Sequence, residues 1–244
     1  MRIGIIGCGH AGRRHAEQIR KLPEAELVAG CDTITSSAQR FASDYNIPTF
    51  ATVDEFLDQP LDGVTVCTPP TTHARIVTQV IERGIRVLCE KPLAPDAHDC
   101  LTIPRSDLLA CAFKFRHLSG AAMLRDMIAR DELGRINHVR GTATADADMA
   151  GKWFSDPLLS GGGVLLDNGV HLVDLVHFLL GPVDSVSAMA CESSRGLDVE
   201  ESAVINLNLS RGASASIFVS WEAPGADGAA DRNLRHERLC KTRL

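Results

Sequence analysis

The sequence has no excess of basic residues and no long uninterrupted apolar run. Its formal net charge is -6 and its pI is near 5.8, which is not the electrostatic footprint of a nucleic-acid-binding protein. No apolar run approaches the roughly 18 residues that span a bilayer. The first run is interrupted by glycine and stops at Arg13-Arg14, unlike a signal peptide. We therefore expect no nucleic-acid partner, no membrane partner and no secretory leader.

Paired cysteines are also missing, although the chain contains 8 cysteines. No two of them form a C-x-x-C pair, and several fall in apolar, strand-like runs where a thiol behaves as a small hydrophobe. This usage favours reduced cysteines in a cytoplasmic protein over a disulfide or zinc framework. The cysteines are Cys8, Cys31, Cys67, Cys89, Cys100, Cys111, Cys191 and Cys240.

The most informative segment that is present is a glycine loop near the start. An apolar run at residues 3–6 leads into Gly7-Cys8-Gly9-His10-Ala11-Gly12 and then into a helix-compatible segment. Strand, glycine loop and helix in this order form a site for a dinucleotide pyrophosphate. The three glycines permit a tight turn, close approach of the backbone to the phosphates, and close packing of helix on strand. The helix N-terminus then presents free N–H groups and the positive end of its dipole to the anion.

A carboxylate follows the second apolar run, residues 27–31. Asp32 lies about 20 residues beyond the loop, where a ribose-binding acid is expected. Its charge would repel a 2′-phosphate, and the next three residues include no arginine, so the sequence favours NAD over NADP. The alternative is an ordinary glycine-rich turn, with Asp32 only capping the next helix.

The first part of the chain alternates apolar strands with amphipathic helices, which indicates a parallel, doubly wound sheet. Such sheets bind ligands at the carboxyl ends of their strands. Gly7, Asp32, Thr68 and Glu90 all stand at predicted strand ends, and they predict one shared crevice. The predicted strands are residues 3–6, 27–31, 62–68, 85–89 and 108–115; the predicted helices carry the apolar sets Ala16, Ile19 and Leu22, then Ala38, Phe41, Ala42 and Tyr45, and then Ile76, Val77, Val80 and Ile81, with a Thr52/Glu55 capping box starting a short helix between them.

The pattern changes at about residue 116. Residues 165–180 are typical of a helix closed by Gly181-Pro182, and residues 205–209 alternate apolar with polar side chains. A turn at Arg211-Gly212 leads to a second strand, residues 213–221, which indicates an α+β domain with a mainly antiparallel sheet. From residue 222 no periodicity remains, and we expect disorder. The predicted domains are residues 1–116 and 117–221, followed by a tail at 222–244.

Two groups of residues are candidates for chemistry. Lys91 lies between an acid and a proline at a predicted strand end, where it would face the crevice; the alternative is a surface lysine at a turn. Asp167 and His171 are spaced i and i+4, so they share a helical face, which Asp174 and His177 extend. The pair is compatible with acid–base chemistry, with a metal site, or with polar side chains that cap neighbouring backbone.

Together these segments resemble the Gfo/Idh/MocA family, the relatives of glucose–fructose oxidoreductase and inositol dehydrogenase. The resemblance covers residues 1 to about 221. The combination of Glu-Lys-Pro with Gly-Gly-Gly and Asp-x-x-x-His is far more specific than the glycine loop alone. The matching segments are Gly7 to Gly12, Asp32, Thr68-Pro69-Pro70-Thr71-Thr72-His73, Glu90-Lys91-Pro92, Gly134 within Glu-Leu-Gly-Arg-Ile, and Gly161 to His171.

The resemblance implies a Rossmann domain and then an α/β domain whose open sheet packs against a partner subunit. It also implies NAD(P)-dependent hydride transfer with a sugar, cyclitol or related polyol. By the same resemblance, Lys91 binds the reacting oxygen, His171 moves the proton and Asp167 supports them, without a metal. The implied cofactor-binding residues are Gly7, Gly9, His10, Ala11, Gly12, Asp32, Thr68, Pro70, His73, Glu90 and Lys91.

The chain departs from the family pattern at three places. The interval between Pro92 and Arg116 is several residues short, and Pro104 shortens its helix. Lys114 stands where relatives often carry asparagine, so the substrate is expected to differ. Relatives continue well beyond this chain and close the second sheet, so we expect a C-terminally truncated chain whose second domain is incomplete. Bare strand edges would then work against the homo-oligomer that the family implies.

Two other functions fit these observations. A dinucleotide-binding regulator would bind the cofactor without turnover, but it would not need Lys91, Asp167 and His171 together. A truncated, inactive remnant would follow from the missing C-terminal part.

Overall fold

The computed structural model describes residues 1–223. Its first sheet has six parallel strands in the order β3-β2-β1-β4-β5-β6, so the predicted doubly wound fold is confirmed. The chain moves outward from β1 to β3 and returns to the other side of β1 at β4, which creates the topological switch point where such sheets bind ligands. The strands are β1 Arg2–Ile6, β2 Glu26–Cys31, β3 Thr49–Phe50, β4 Gly63–Val66, β5 Arg86–Cys89 and β6 Leu109–Cys111.

Helices cover this sheet and bury its strands. The apolar stripe of α4 places Ile76, Val77 and Val80 in the core against β4 and β5. Thr52 accepts a hydrogen bond from the Glu55 N–H at 3.3 Å, as the capping box predicts. The helices are α1 His10–Ile19, α2 Thr35–Tyr45, α3 Val53–Leu57, α4 His73–Glu82 and α5 Ala97–Thr102.

Two details of the first region differ from the sequence-based expectation. Helix α1 ends at Ile19, and Leu22 is 49% exposed rather than part of the buried stripe. Leu22 precedes Pro23, and proline disfavours the helical conformation of the residue before it. The expected strand at 108–115 has only three residues, Leu109–Cys111, but it pairs with β5 and closes the sheet.

The second sheet has four strands in the order β7-β10-β9-β8. Both pairs involving β9 are antiparallel, as the sequence predicts, whereas β7 and β10 are parallel. Helix α8 lies on one face and buries Leu172, Val176 and Leu180 against it. The elements are β7 His138–Thr144, β8 Val183–Cys191, β9 Ser202–Leu209, β10 Ser214–Ser220, α6 Ser119–Ala129, α7 Pro157–Ser160 and α8 Val170–Leu180.

The expected single helix over residues 165–180 has two parts. Leu165–Gly169 forms a π-helical turn, and α8 begins only at Val170. The apolar helical segment Pro157–Leu180 is long enough to cross a membrane by length and composition. It is not an uninterrupted apolar run, because Ser160, the glycine triplet at 161–163 and Asp167-Asn168 lie within it, so the expectation about such runs stands. Within the fold, its α8 part packs on the second sheet.

The predicted tail, residues 222–244, lies outside the described residues except for Glu222 and Ala223. Glu222 forms an isolated bridge with Asp146. Its carboxylate accepts hydrogen bonds from Ser194 and Ser202.

Candidate active site

The glycine loop has the geometry of a cradle for a dinucleotide. Gly7 has a φ of +95°, and a Cβ on it would lie 2.6 Å from the Cys67 carbonyl. A Cβ on Gly12 would lie 2.0 Å from the Gly7 carbonyl oxygen. A Cβ on Gly9, in contrast, would meet nothing within 4 Å. The loop therefore packs tightly against the sheet and leaves open space above Gly9, which fits the approach of a pyrophosphate.

The first turn of α1 faces the same space. The helix begins at His10 with Gly9 as its N-cap, and no side chain caps it. The N–H groups of a helix's first turn have no partner within the helix, and they bind anions well. His10 and Ala11 thus bring backbone donors to the position expected of the phosphates.

Asp32 connects the end of β2 to the glycine loop. Its Oδ2 accepts a hydrogen bond from the Cys8 N–H and its Oδ1 accepts one from the Ile34 N–H, both at 2.8 Å. Ile34, not Asp32, is the N-cap residue of α2, so Asp32 is not a simple helix cap. An ionised carboxylate has about four acceptor positions, and two remain for ribose hydroxyls.

The segment after β4 supports the crevice from below. His73 is completely buried, and its Nδ1 and Nε2 lie 2.8 Å from the carbonyl oxygens of Pro92 and Thr68. Burial lowers the pKa of His73, although both carbonyls act to raise it. Both ring nitrogens lie against carbonyl oxygens of the loops that follow β4 and β5, so His73 supports the wall of the crevice; its place beside the nicotinamide stays a prediction. Pro70, also buried, starts the short turn Pro70–Thr72 above it.

Glu90 links helix α1 to the loop that carries Lys91. Its Oε1 lies 2.8 Å from Nε2 of His15 on α1, and its Oε2 accepts the Lys91 N–H at 3.2 Å. Burial raises the pKa of Glu90. The hydrogen bond and charge of His15, and then those of Lys91, lower this pKa by a larger amount, so it lies below the ordinary value. The sequence analysis did not single out His15. The one feature that could have pointed to it is its position on the helix that follows the glycine loop.

Lys91 reaches across to the second region and pairs with Asp167. Its Nζ donates to Asp167 Oδ1 at 2.6 Å and to the Asp167 carbonyl oxygen at 2.8 Å. Both side chains are mostly buried, with 15% and 17% of their surfaces exposed. An ammonium group has three donors, so the third is free to bind a substrate oxygen.

His171 lies one helical turn after Asp167 and is held between aromatic rings. It is 5% exposed, and its ring centroid lies 5.0 Å from that of Phe115 and 6.3 Å from that of Phe113. Its Nδ1 is buried without a hydrogen-bond partner among the described residues. Burial, followed by the charges of Lys91 and Lys114, lowers the pKa of His171 to about 4. The imidazole is therefore neutral at pH 7, as a proton acceptor must be.

Glu200, which the sequence did not single out, holds the start of the helical segment that carries Asp167 and His171. Its Oε2 and Oε1 accept the N–H groups of Gly163 and Leu165, both at 2.9 Å. Its carbonyl oxygen accepts the Val164 N–H at 3.0 Å. A Cβ on Gly163 would lie 2.0 Å from that carbonyl, so this glycine of the triplet permits the close approach.

The rest of the predicted polar face is engaged differently. Asp174 is buried and binds Arg116 through both carboxylate oxygens, with Nε 2.8 Å from Oδ2. Within residues 1–223, no three histidine, cysteine, aspartate or glutamate side chains are grouped as a metal site. The seven cysteines in that range are all free.

Most of the predicted site residues meet at one place. The glycine loop, Asp32, the segment from Thr68 to His73 and Glu90-Lys91 lie at the carboxyl edge of the first sheet, at the ends of β1, β2, β4 and β5. The Lys91–Asp167 ion pair joins the second region to that edge. The site thus combines a glycine loop shaped for an anion, a mostly buried lysine with one N–H donor unused among residues 1–223, and a neutral histidine.

Comparison with known proteins agrees with this architecture. Residues 1–105 match the family described as "Oxidoreductase family, NAD-binding Rossmann fold", and residues 121–236 match "GFO/IDH/MocA C-terminal domain". A protein of Amycolatopsis mediterranei (strain S699), provisionally named a UDP-kanosamine synthase oxidoreductase subunit, is 31% identical over 91% of this chain and 68% of its own. Glucose-6-phosphate 3-dehydrogenase of Bacillus subtilis (strain 168) is 32% identical over 73% of this chain and 53% of its own.

Solved structures show the same arrangement. The WlbA dehydrogenase from Bordetella pertussis, solved with NADH and UDP-GlcNAcA, matches with a TM-score of 0.83 and 25% identity over 91% of this chain and 67% of that one. Across the curated relatives named above, the chain spans between 53% and 68% of their length. With its NAD-binding Rossmann domain and its matching second domain, the chain belongs to the Gfo/Idh/MocA family of oxidoreductases.

Proposed function

We propose that the chain is an NAD-dependent dehydrogenase that transfers a hydride between the cofactor and a hydroxyl-bearing carbon of a sugar, cyclitol or related polyol. The observation that carries this proposal is the Lys91–Asp167 ion pair near a neutral, buried His171, at the carboxyl edge of the sheet that also carries the glycine loop. The names of the relatives, among them glucose-6-phosphate 3-dehydrogenase, support the substrate class.

The bound cofactor would supply the hydride acceptor, which is chemistry that no side chain provides. Oxidation of an alcohol also releases a proton, and His171 accepts it from the substrate hydroxyl. Lys91 uses its third N–H donor to stabilise the negative charge that develops on that oxygen. Asp167 fixes the ammonium group by its two short contacts, so that the donor is oriented before substrate binds.

The cofactor part of the proposal rests on Asp32 and the glycine loop. Two free acceptor positions on the Asp32 carboxylate suit the ribose hydroxyls, while its charge opposes a 2′-phosphate. We therefore propose NAD rather than NADP. His73 and Thr68 belong to this side as supports of the crevice wall, since His73 contacts the carbonyl oxygens of Thr68 and Pro92, and the Thr68 hydroxyl accepts a hydrogen bond from Thr72.

The proposal extends to location and partners. The free cysteines in strands of the first sheet support a cytoplasmic protein. The substrate is a small molecule. The exposed face of the second sheet is the surface through which copies of the chain would associate.

The test is turnover of a polyol panel with NAD⁺, measured as NADH absorbance, for the wild type and for Lys91→Met. We expect Lys91→Met to lower kcat/KM by about a hundredfold or more, while the NAD⁺ dissociation constant stays within a few-fold. Lys21→Met, which removes an exposed lysine next to α1, is the matched control and should leave both values unchanged.

Two results would contradict the proposal. If Lys91→Met leaves the rate within a few-fold of the wild type, the assigned mechanism is wrong. If the wild type binds NAD⁺ and turns over none of the panel, a cofactor-binding regulator becomes the better description.

A further inference from the structure

A second lysine reaches the site from the strand next to the one that carries Lys91. Strands β5 and β6 are neighbours, and Cys89 pairs with Cys111, so their following segments leave the sheet side by side. Lys114 begins the short turn Lys114–His117 after β6. Its Nζ lies 5.5 Å from the centroid of the Phe115 ring, the ring that also contacts His171. The ammonium group of Lys114 and the imidazole of His171 therefore both lie near the Phe115 ring.

Three carboxylates in the segments around Lys91 and His171 already have side-chain partners. Asp167 binds Lys91 at 2.6 Å, Glu90 contacts His15 at 2.8 Å, and Asp174 binds Arg116. Within residues 1–223, Lys114 has no carboxylate at ion-pair distance. The same holds for Arg14 on α1, which is close enough to act on the pKa of Lys114.

The unpaired charges have an electrostatic consequence. Partial burial lowers the pKa of Lys114, and the positive charges of Lys91 and Arg14 lower it further. Lys114, Lys91 and Arg14 thus outnumber Asp167 and Glu90, the two carboxylates that act on Lys114, which leaves the surroundings of Lys114 with excess positive charge. A positively charged cleft attracts anions and strengthens their binding.

We propose that Lys114 selects substrates that carry an anionic group, a carboxylate or a phosphate, on the sugar or polyol. This inference rests on the proposed function and adds the class of substrate. Lysine acts on such groups as a point charge with rotatable donors, and an exposed ammonium at the crevice can reach a group attached to a ring whose hydroxyl contacts Lys91. Lys114 is thereby a specificity-determining residue, distinct from the groups that move the proton and hydride.

A competing role would be that Lys114 only keeps His171 neutral, because its charge contributes to lowering that pKa. The two roles differ in their dependence on substrate. Tuning of His171 would change kcat/KM for neutral and anionic substrates by the same factor, so their ratio would stay the same. Selection of an anion would lower kcat/KM for the anionic substrates alone at neutral pH, so their ratio would change.

The experiment compares D-glucose with D-glucose 6-phosphate and D-glucuronate at fixed NAD⁺, for the wild type, Lys114→Met, Lys114→Arg and the control Lys21→Met. We expect the wild type to favour an anionic sugar, and Lys114→Met to lower the ratio of anionic to neutral kcat/KM at least about tenfold. Lys114→Arg should retain much of the preference, and added salt should weaken it. The phosphate and carboxylate arms show which anion is recognised.

The proposal is overturned if Lys114→Met leaves this ratio unchanged, which includes the case in which it lowers kcat/KM for all three substrates by the same factor. Equilibrium binding separates this outcome from failure of the proposed function. In calorimetry without turnover, glucose 6-phosphate or glucuronate should bind the wild type with NADH present and bind Lys114→Met at least about tenfold more weakly. If the anionic sugars bind in this way but are not turned over, the dehydrogenase proposal fails and the anion site stands. If sugars are turned over but Lys114→Met does not weaken binding of the anionic ones, the anion site fails and the dehydrogenase proposal stands.

Discussion

The two sheets of this chain differ in how far they are buried, and this difference changes the pattern of apolar residues in their sequences. Strands β1 and β4 of the first sheet are largely buried, and helices cover the sheet. The second sheet is covered on one side by α8, while β8 is exposed along nearly its whole length. The strands of the first sheet therefore appear in the sequence as apolar runs. In the second sheet, the alternation of apolar and polar residues is clear only in β9, where buried and exposed residues alternate.

The same contrast divides the site. The first region contributes main-chain geometry at the glycine loop, because Gly7 and Gly12 leave no room for a side chain and Gly9 faces open space. It also contributes the Lys91 side chain. The second region contributes Asp167 and His171, and the start of their helical segment donates hydrogen bonds to the Glu200 carboxylate. We therefore expect substitutions in the glycine loop to change cofactor binding, and substitutions that move Lys91, Asp167 or His171 to change turnover.

The largest expected effect is in the glycine loop. Gly12→Ala would place a Cβ 2.0 Å from the Gly7 oxygen, so we expect it to destabilise the fold by at least about 2 kcal/mol. Gly9→Ala meets nothing within 4 Å and should keep the melting temperature while weakening NAD⁺ binding. Thermal unfolding and nicotinamide fluorescence measure the two. Equal destabilisation by both variants would show that the open space above Gly9 is not a binding surface.

The next effect is in the second region. Glu200→Ala removes two hydrogen bonds to a charged acceptor, each worth about 1.5–3 kcal/mol, and frees the segment that carries Asp167 and His171. We expect kcat/KM to fall at least about tenfold with an unchanged NAD⁺ dissociation constant. The control is Glu192→Ala, an exposed glutamate at the end of β8. A loss of NAD⁺ affinity as large as the loss of turnover would break the division between the regions.

The difference between the regions also explains what the sequence predicts. Local signals such as the capping box at Thr52 and the stripe around Phe41 identify the first region, because each element buries a regular set of residues. Strands β7 and β8 were missed because charged, small and exposed residues fill them. Helix α6 was missed as well; it buries only Ala121, so it lacks an apolar stripe.

At the site, a sequence motif can mark a residue whose position depends on its spacing along one helix or strand. Asp167 and His171 are four residues apart, and Lys91 follows the end of a strand, so local patterns mark each of them as a candidate, and the structure brings Lys91 and Asp167 together. His15 contacts Glu90 across 75 residues, and Glu200 reaches Gly163 across 37. No local pattern marks such pairs, since their meeting depends on the whole fold. The buried position of His73 was missed for the same reason.

A smaller effect is expected at the contact between His15 of α1 and Glu90, which precedes Lys91. His15→Ala removes the partner of Glu90 and should lower kcat by about tenfold or less, because the lost hydrogen bond acts on Lys91 only through Glu90. His15→Gln can still donate an amide N–H, and it should restore most of the rate. Steady-state kinetics with separate kcat and KM values tests this. Failure of His15→Gln to improve on His15→Ala would remove His15 as a positioning residue.

The smallest effect concerns pH. His171 is active when neutral, and its pKa is about 4, so kcat/KM should change little across the neutral range and fall only as the pH drops towards 4. Lys114→Met removes a charge that lowers this pKa, and the acid limb should move to higher pH. A pH–rate profile of both proteins checks the direction. A wild-type limb near the ordinary histidine value of 6.5 would contradict the burial of His171.

The most direct measurement is a double-mutant cycle on kcat/KM with Lys91→Met, Asp167→Asn and the double variant. If the first region's lysine and the second region's carboxylate act as one unit, the double variant should be about as impaired as the worse single variant, with a coupling of at least about tenfold. Losses that simply multiply would show that the two residues act independently, and they would contradict a site completed by the contact between the two regions.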